Sequence, residues 1–208
     1  MNHRARIVRM IVISSLLAVS AWTLSSCGKK EAAEESATST MPADSGMSSM
    51  PAAPALSDAN IAAIVLAANN ADIDNGKQAQ LKSKDAAVKA FAKQMITDHS
   101  STNDKAVALA KKLDLKPEDN DASMGIKASQ DSVRDELKKM SGAAFNKSYI
   151  DNEVTYHEKV LDTIDNALLP NAQNAELKQL ITDVRPVVAA HLDHAKQIQA
   201  KMGGTAVQ

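Results

Sequence analysis

Apolar residues recur at helical spacing in five stretches of this chain, and no other feature of the sequence constrains the fold as strongly. The predicted helices run from Ser57 to about Lys82, from Ser83 to about Lys116, from Ser123 to Met140, from Ala143 to Leu169, and from Asn171 or Asn174 to Met202. Aromatic residues make up only 2% of the chain, whereas a β-sandwich or barrel needs many of them. Short connections between the first two and the last two helices predict an antiparallel, all-α bundle.

Two of the predicted helices carry a residue that can interrupt them. The dipeptide Asn75-Gly76 lies inside the first helix and is also a common turn sequence. Pro186 lies inside the last helix, where it removes one backbone hydrogen bond and is expected to kink the helix.

The first 27 residues have the pattern of a bacterial lipoprotein signal. Three arginines precede an apolar run at residues 10–24, which is short for a membrane span of roughly 20 residues. The run ends in Leu24-Ser25-Ser26-Cys27, which resembles a lipobox, and Cys27 is the single cysteine of the chain. We therefore expect cleavage after residue 26 and acylation of Cys27 with palmitate-type chains. The alternative is an ordinary cleaved signal with an incidental cysteine.

The predicted lipid anchor also allows the cellular location to be predicted. Gly28 follows Cys27, at the position where an aspartate would favour retention in the inner membrane. The expected location is therefore the outer membrane, with the domain facing the periplasm. Residues 27–56 contain almost no bulky apolar side chain and are expected to form a disordered linker, and residues 203–208 a flexible tail. The folded domain is predicted at residues 57–202.

Composition excludes several classes of function. The formal net charge is −1 and there is no basic stripe, which argues against nucleic-acid binding. A single cysteine excludes both an internal disulfide and a thiolate-rich metal site. Ser100 and Ser101 adjoin His99, but neighbours on a helix point about 100° apart and cannot form a nucleophile–base pair. No catalytic residue is therefore predicted, and the chain is not expected to be an enzyme.

Three motifs resemble a known bacterial family, domain of unknown function 4142. They are residues 90–99 (AFAKQMITDH) followed by Asn103, residues 145–149 (FNKSY) followed by His157, and Pro186 followed by His191. The resemblance covers roughly Asp58 to Lys201 and implies a ferritin-like four-helix bundle, with the extra helix as a crossover. It implies no reaction. The chain departs from the family pattern at Asn146, where Asp is usual, and at Asp72 and Asp74, where Glu is common.

Polar side chains interrupt the apolar stripes of four helices. Continuing each stripe leads to Asp72 on the first helix, His99 on the second, Glu153 and His157 on the fourth, and His191 on the fifth. Along the bundle axis, these residues are predicted to lie at the same level to within about one helical turn. Imidazole and carboxylate ligands together suit Fe, Mn, Zn or Cu, so the five residues are candidate metal ligands.

The competing interpretation is a structural polar network. Di-iron bundles use Glu-x-x-His on two helices, and this spacing is missing from all five helical segments of the sequence. The network would contain a Glu153–His157 pair and a cluster of Asp98, His99 and Asn103, whose hydrogen bonds would fix the register of the helices. The sequence favours this network over a metal site.

Two functions follow from these alternatives. The first, which the sequence favours, is a non-enzymatic envelope lipoprotein whose bundle binds an unidentified envelope protein or helps the cell withstand stress. The second is a metal-binding, ferritin-like protein with a divalent or transition metal as its only cofactor. Expected partners are the membrane, through the lipid anchor, an envelope protein, and a second copy of the chain.

Overall fold

The chain folds into a bundle of long helices in the computed structural model, which describes residues 56–204. The helices are α1 (Asp58–Lys82), α2 (Ala86–Lys112), α3 (Asp121–Lys139), α4 (Gly142–Thr163), the short α5 (Leu169–Asn171) and α6 (Ala175–Gly204). A π-helical segment, Ile164–Leu168, joins α4 to α5. The described residues contain no strand, so the predicted all-α bundle is confirmed.

Capping residues set the helix boundaries. The Ser57 hydroxyl accepts a hydrogen bond from the Asn60 amide. The Asp85 carboxylate accepts two from the first turn of α2, which begins at Ala86, three residues after the predicted start at Ser83. The third helix begins at Asp121, two residues before the predicted start, because the side chain of Asn120 caps it by accepting from the Ser123 amide. The second helix ends at Lys112, four residues before the predicted stop.

Neither suspected interruption breaks its helix. Helix α1 continues through Asn75-Gly76, and α6 continues through Pro186. Gly76 permits a close approach of α1 to α2, since a Cβ atom there would lie 3.0 Å from the carbonyl oxygen of Ala92 and 3.0 Å from Cγ1 of Ile96. The glycine is therefore explained by helix packing and not by a turn.

Four helices form the bundle and α3 is the crossover between its two hairpins. The start of α1 meets the start of α3 through a bond from the Glu118 amide to the Ala59 carbonyl, and Lys82 at the end of α1 donates to the Leu137 carbonyl near the end of α3. Helices α1 and α3 are thus parallel. The crossover returns the chain to the opposite end, so α2 and α4 run the same way. Bundles with one such crossover include the ferritin-like folds.

The core consists of two clusters at opposite ends of the bundle. The aromatic half lies where α1 ends and α4 begins, and comprises Ala79, Val88, Phe91, Ala92, Met95, Leu137, Phe145, Tyr149, Ile150, Val154, Leu192, Ala195 and Ile198. The aliphatic half lies where α1 begins and α4 ends, and comprises Ile61, Ile64, Ile164, Leu168, Ala172, Leu177, Ile181 and Val188.

Several predicted features lie outside the described residues. These are the signal peptide at residues 1–26, the acylated Cys27, all of the linker except Leu56, and the last four residues of the tail. Gly203 and Gly204, which were expected to belong to the tail, form the end of α6. Within residues 56–204 no helix is both long and apolar enough to span a membrane.

Candidate metal centre

Five ionisable side chains meet between the two halves of the core. Asp72 comes from α1, His99 from α2, Glu153 and His157 from α4, and His191 from α6, and each residue is at most 4% exposed. They are the five residues that the helical stripes predict as candidate ligands. Each continues an apolar stripe, which turns its side chain toward the bundle axis.

The three imidazole rings form a triangle. The ring centroids are 5.8 Å apart for His99 and His157, 5.2 Å for His99 and His191, and 5.6 Å for His157 and His191. One ligand atom from each ring lies within 4.8 Å of the other two, and the same holds for ligand atoms of Asp72, Glu153 and His157. His157 thus belongs to two overlapping three-residue groups.

One nitrogen of each imidazole is held by an oxygen acceptor. Nδ1 of His99 donates to the Asn69 side-chain carbonyl at 2.8 Å, and Nδ1 of His157 donates to the Glu153 backbone carbonyl at 2.9 Å. Nε2 of His191 donates to the Asp98 carboxylate at 2.9 Å. Because each acceptor is an oxygen, these three nitrogens carry the ring proton, and the second nitrogen of each ring has a free lone pair.

The other polar atoms of the cluster are buried without hydrogen-bond partners among residues 56–204. They are Nε2 of His99, Nε2 of His157, Nδ1 of His191, both carboxylate oxygens of Glu153 and Oδ1 of Asp72. His99 Nε2 lies 3.4 Å from Asp72 Oδ2. Unsatisfied buried polar atoms are costly and rare in native proteins, so a concentration of them at one point requires a physical explanation.

The environment keeps the histidines neutral. Burial, reinforced by the neighbouring rings of His157 and His191, holds the pKa of His99 well below 6.5. Burial and the nearby His191 lower the pKa of His157 to about 4. Burial also lowers the pKa of His191, although Asp98 partly offsets this. Neutral imidazole is the form that binds metal ions.

The two carboxyl groups are shifted in the opposite direction. Burial raises the pKa of Asp72 to about 8, and the neighbouring carboxyl group of Glu153 partly offsets the increase. Burial and the neighbouring Asp72 raise the pKa of Glu153 well above its usual value. Without a nearby positive charge, both groups therefore favour the protonated form, because ionisation in this environment leaves a buried, uncompensated charge.

The structure separates the residues of the predicted polar network. Asp98 pairs with His191 on another helix, and not with its neighbour His99. Asn103 donates to Asn70 at 2.7 Å, away from the cluster. The reason is geometric, since neighbours on a helix point about 100° apart and cannot turn toward one partner. In the predicted Glu153–His157 pair, Nδ1 of the histidine lies 3.6 Å from the carboxylate and bonds to the backbone carbonyl instead.

His194 and Asn69 show where sequence reasoning was incomplete. His194 lies one turn from His191, but it contacts Gln94 at 3.0 Å and the ring of Phe91, and it does not join the cluster. Asn69, which orients His99, was not predicted. Its position three residues before Asp72 places it on the same face of α1 and would have identified it.

The donor set is suited to a transition-metal ion. Three neutral imidazoles with carboxylates beside them match the ligand preferences of Zn, Cu and Fe, and imidazole with carboxylate also accommodates Mn. Ionised Asp72 and Glu153 together would carry two negative charges, which would offset the charge of a divalent ion. Asp72 Oδ1 and both Glu153 oxygens have no hydrogen-bond partner among the described residues, and Asp72 Oδ2 lies near His99. The spacing of Glu153 and His157 is i,i+4, so the pattern of Glu-x-x-His ligands in di-iron bundles does not apply.

Comparison with known proteins identifies the family. The family described as Domain of unknown function (DUF4142) matches residues 43–198, which is most of the chain. The chain belongs to this family. All five residues of the buried cluster fall within the DUF4142 match. No curated protein and no solved structure matches the chain, so the function has to be inferred from the site itself.

Proposed function

We propose that the DUF4142 domain of this chain binds a transition-metal ion through His99, His157 and His191, in a lipoprotein of the cell envelope. One observation carries the metal-binding proposal. Each imidazole is fixed by a hydrogen bond at one nitrogen, while its other nitrogen is buried without a partner among the described residues.

This arrangement has the form of a metal site with its supporting shell. Histidines that bind metals usually donate their second N–H to a carboxylate or carbonyl oxygen, which fixes the tautomer and the orientation of the ring. Asn69, the Glu153 carbonyl and Asp98 are the corresponding acceptors here. A bound cation would satisfy three lone pairs together, whereas a proton donated by Asp72 would satisfy only His99.

The carboxyl groups support the same proposal through charge. A divalent cation favours the ionised form of nearby acids, so it would reverse the raised pKa values of Asp72 and Glu153. Two carboxylates and one divalent ion together are neutral, which reduces the cost of burying the charges. Both residues are therefore expected to complete the coordination or to lie directly beside it.

Metal analysis of matched histidine variants tests the proposal. The full chain, purified without a histidine tag and dialysed, is expected to retain Zn, Cu, Fe or Mn in a stoichiometric amount. His191→Ala should lose the ion. His194→Ala should retain it, because His194 lies on the same helix but contacts Gln94. Metal-loaded protein should also unfold at a higher temperature than metal-free protein, since an ion that binds only the native state stabilises it.

Other outcomes would contradict the metal site. A wild type without stoichiometric metal, even after incubation with each of the four ions, would leave the cluster as a hydrogen-bonded network. Replacing each histidine by alanine would then cost about 1–3 kcal/mol of unfolding free energy by stranding its partner. Equal loss of metal from His191→Ala and His194→Ala would indicate surface binding.

The envelope location is proposed from the sequence before residue 56. It is supported by the three arginines, the apolar run and the single cysteine at the end of that run. Acylation of the Cys27 thiol would give stable membrane attachment, at about 0.8 kcal/mol for each buried methylene. Cys27→Ser should abolish labelling by radioactive palmitate and leave unprocessed precursor, whereas Ser26→Ala should still be labelled. Labelled Cys27→Ser protein in the membrane fraction would refute the anchor.

The predicted protein partners stay predictions. An envelope partner and a second copy of the chain were both expected, the latter on an apolar face of α3. Met124 on α3 is 50% exposed and is a contact that such a face would use. Chemical crosslinking in intact cells, compared between wild type and Met124→Lys, measures whether α3 takes part in self-association.

A further inference from the structure

A cavity of about 230 Å³ extends from the buried cluster into the aliphatic half. Asp72 and His99 line its inner end, and Leu168 and Leu180 line the end farthest from them along the helices. The residues that line it run from Asp72 to Ile64 on α1 and from Asn152 to Leu168 on α4, about 12 Å and about 24 Å along the two helices. It borders Ser129 on α3 and Thr155 and Lys159 on α4, which are exposed, so it reaches the surface between these two helices.

The walls of the cavity are mainly aliphatic, and its buried polar residues, among them Asp72 and His99, lie toward the cluster, whereas its exposed polar residues border the opening. The apolar lining comes mainly from isoleucine, valine and leucine, and Tyr156 is the single aromatic residue in it. Tyr156 donates its hydroxyl to the Ala68 carbonyl at 3.2 Å, so that hydroxyl is already occupied. Binding sites for small molecules combine apolar walls with a few polar groups that fix orientation, and this cavity has that composition.

A π-helical turn forms part of the wall. Ile164 and Leu168, which begin and end the π-helical segment, both line the cavity. Single π-helical turns within α-helices are rare and are often found at functional sites. The irregular turn and the cavity therefore coincide on one side of the buried cluster.

We propose that this cavity binds a small, uncharged aliphatic molecule whose single polar end lies against Asp72 and His99. This inference rests on the proposed function in one respect, since the polar end meets residues assigned to the metal centre. A cavity of 150 Å³ admits benzene, so by the ratio of volumes this one admits about nine non-hydrogen atoms. A straight chain suits it better than a ring system, because the cavity is long and its walls are aliphatic.

The inner end discriminates against charged head groups. The desolvated surroundings of Asp72 and Glu153 penalise any isolated charge, and Lys159 is the one basic residue among the described residues that line the cavity. A hydroxyl group needs only a hydrogen bond, which the Asp72 carboxyl supplies. Lys159 is exposed at the opening and is too far from the inner end to neutralise an anion bound there.

Photolabelling with diazirine derivatives of 1-octanol tests the proposal on the full chain in membranes. The probes carry the diazirine at carbon 3, beside the hydroxyl, or at carbon 7, near the far end of the chain. Mass spectrometry should place the carbon-3 label near Asp72 or His99. The carbon-7 label should lie near Val65 or Val184, which are seven residues from Asp72 and His191 and hence about 10 Å farther along the bundle. Excess 1-octanol should compete with both probes, and excess octanoate should compete weakly.

Matched variants separate cavity binding from adsorption to the surface or to lipid. Val184→Phe places a larger side chain in the cavity and should reduce labelling at least about tenfold, or about 1.4 kcal/mol of binding free energy. Val187→Phe, at a 41% exposed position of the same helix, should label as the wild type does. Val65→Phe blocks the cavity from α1 and repeats the test if Val184→Phe does not fold.

The outcomes distinguish this inference from the proposed function. Labelling that is unaffected by Val184→Phe and Val65→Phe, or that falls outside the cavity, would overturn the ligand site even if the protein retains metal. Stronger competition by octanoate would overturn the uncharged end group, and exchanged label positions would overturn the orientation. Labelling as expected in a protein that retains none of the four ions after incubation with each of them would sustain the cavity site and reject the metal centre.

Discussion

The two halves of this bundle share one set of helices but are packed differently. The aromatic half fills its interior with Phe91, Phe145 and Tyr149, and the rings of Phe145 and Tyr149 stack with centroids 6.3 Å apart. The aliphatic half has no aromatic ring among its buried core residues and borders a cavity of about 230 Å³. The buried cluster lies between them.

This difference in packing indicates that the aromatic half mainly contributes stability, whereas the aliphatic half mainly provides space for binding. A close-packed interior gains dispersion energy from every side, whereas side chains that line a cavity lose those contacts on one side. The aromatic half should therefore supply most of the unfolding free energy. The aliphatic half has the space that a ligand requires, and changes in it should alter binding more than stability.

Truncation of one large side chain in each half gives the largest expected difference. Phe91→Ala removes a ring that is 0% exposed and contacts Tyr149 and His194, and it should lower the unfolding free energy by about 3–5 kcal/mol. Leu168→Ala, at a 3% exposed position of the aliphatic half beside the cavity, should cost only about 2 kcal/mol, since part of that side chain already lacks neighbours. Urea denaturation measures both. Equal losses of unfolding free energy in the two variants would refute this difference between the halves.

The cluster between the halves predicts that metal-free protein loses stability as the pH rises from 6.5 to 8. Over this window folded Asp72, with its pKa raised to about 8, keeps a proton that the unfolded chain has lost. One such proton accounts for about 2 kcal/mol, and Glu153, whose pKa is also raised, adds to the fall. Below pH 6.5 the two acids continue to favour the fold as the pH falls, whereas the histidines oppose it, because burial keeps the pKa of His99 and of His157 lower in the fold than in the unfolded chain. The stability profile should therefore flatten below pH 6.5.

A neutral variant provides the control for this pH dependence. Asp72→Asn removes one of the two titrating carboxyl groups and should reduce the fall in stability between pH 6.5 and 8, while Glu153, whose burial also raises its pKa, accounts for the remainder. Asp74→Asn, at an exposed position of the same helix, should leave the profile unchanged. Thermal denaturation monitored by circular dichroism at several pH values measures the three profiles. A wild type that gains stability up to pH 8 would show that Asp72 is ionised in the fold.

Two buried asparagines on α1, one beside each half, allow the effects on binding and on stability to be compared directly. Asn69 lines the cavity and orients His99, so Asn69→Ala should weaken metal binding by about 10- to 100-fold. Asn75 donates to Gln130 at 2.9 Å, and Asn75→Ala should instead cost about 1–3 kcal/mol of stability while leaving the metal affinity intact. Calorimetric titration and urea denaturation of both variants would show whether the two effects separate.

Adding one methylene group to a valine in each half gives the smallest expected changes in unfolding free energy, a loss in one half and a gain in the other. Val88 is 0% exposed in the aromatic half, so Val88→Ile should overpack the core and cost about 1 kcal/mol. Val184 lines the cavity, and Val184→Ile should stabilise the protein by about 0.5 kcal/mol because the added group has space and apolar neighbours. Melting temperatures that shift in the same direction would count against a difference in packing.

The sequence predicted which residues form the buried cluster better than it predicted which of their atoms contact one another. Helical periodicity alone placed Asp72, His99, Glu153, His157 and His191 on inward-facing stripes at one height, and the structure brings all five together. Which atoms meet depends on the rotation of each helix about its axis, and a stripe does not specify that rotation closely enough. The bond from His191 to Asp98 is an example, since it joins residues 93 positions apart.

The cavity and the π-helical turn could not be predicted from the sequence for a related reason. Ile164, Leu168 and Val184 have the same apolar character as the residues of the close-packed half, so composition does not distinguish a filled interior from an open one. An apolar stripe records which side of a helix faces inward. It does not record how far the facing helices stand apart, and that distance determines the empty volume.

The close approach of α1 and α2 at Gly76 has a consequence for the choice of ion. Gly76 lies one helical turn from Asp72, and a methyl group there would push α1 away from Ala92 and Ile96 on α2. The gap between Asp72 and His99 would then widen by a few tenths of an ångström. Ionic radii of competing divalent metals differ by similar amounts, so in the proposed metal centre the absence of one methyl group would help to set the size of ion that is accepted.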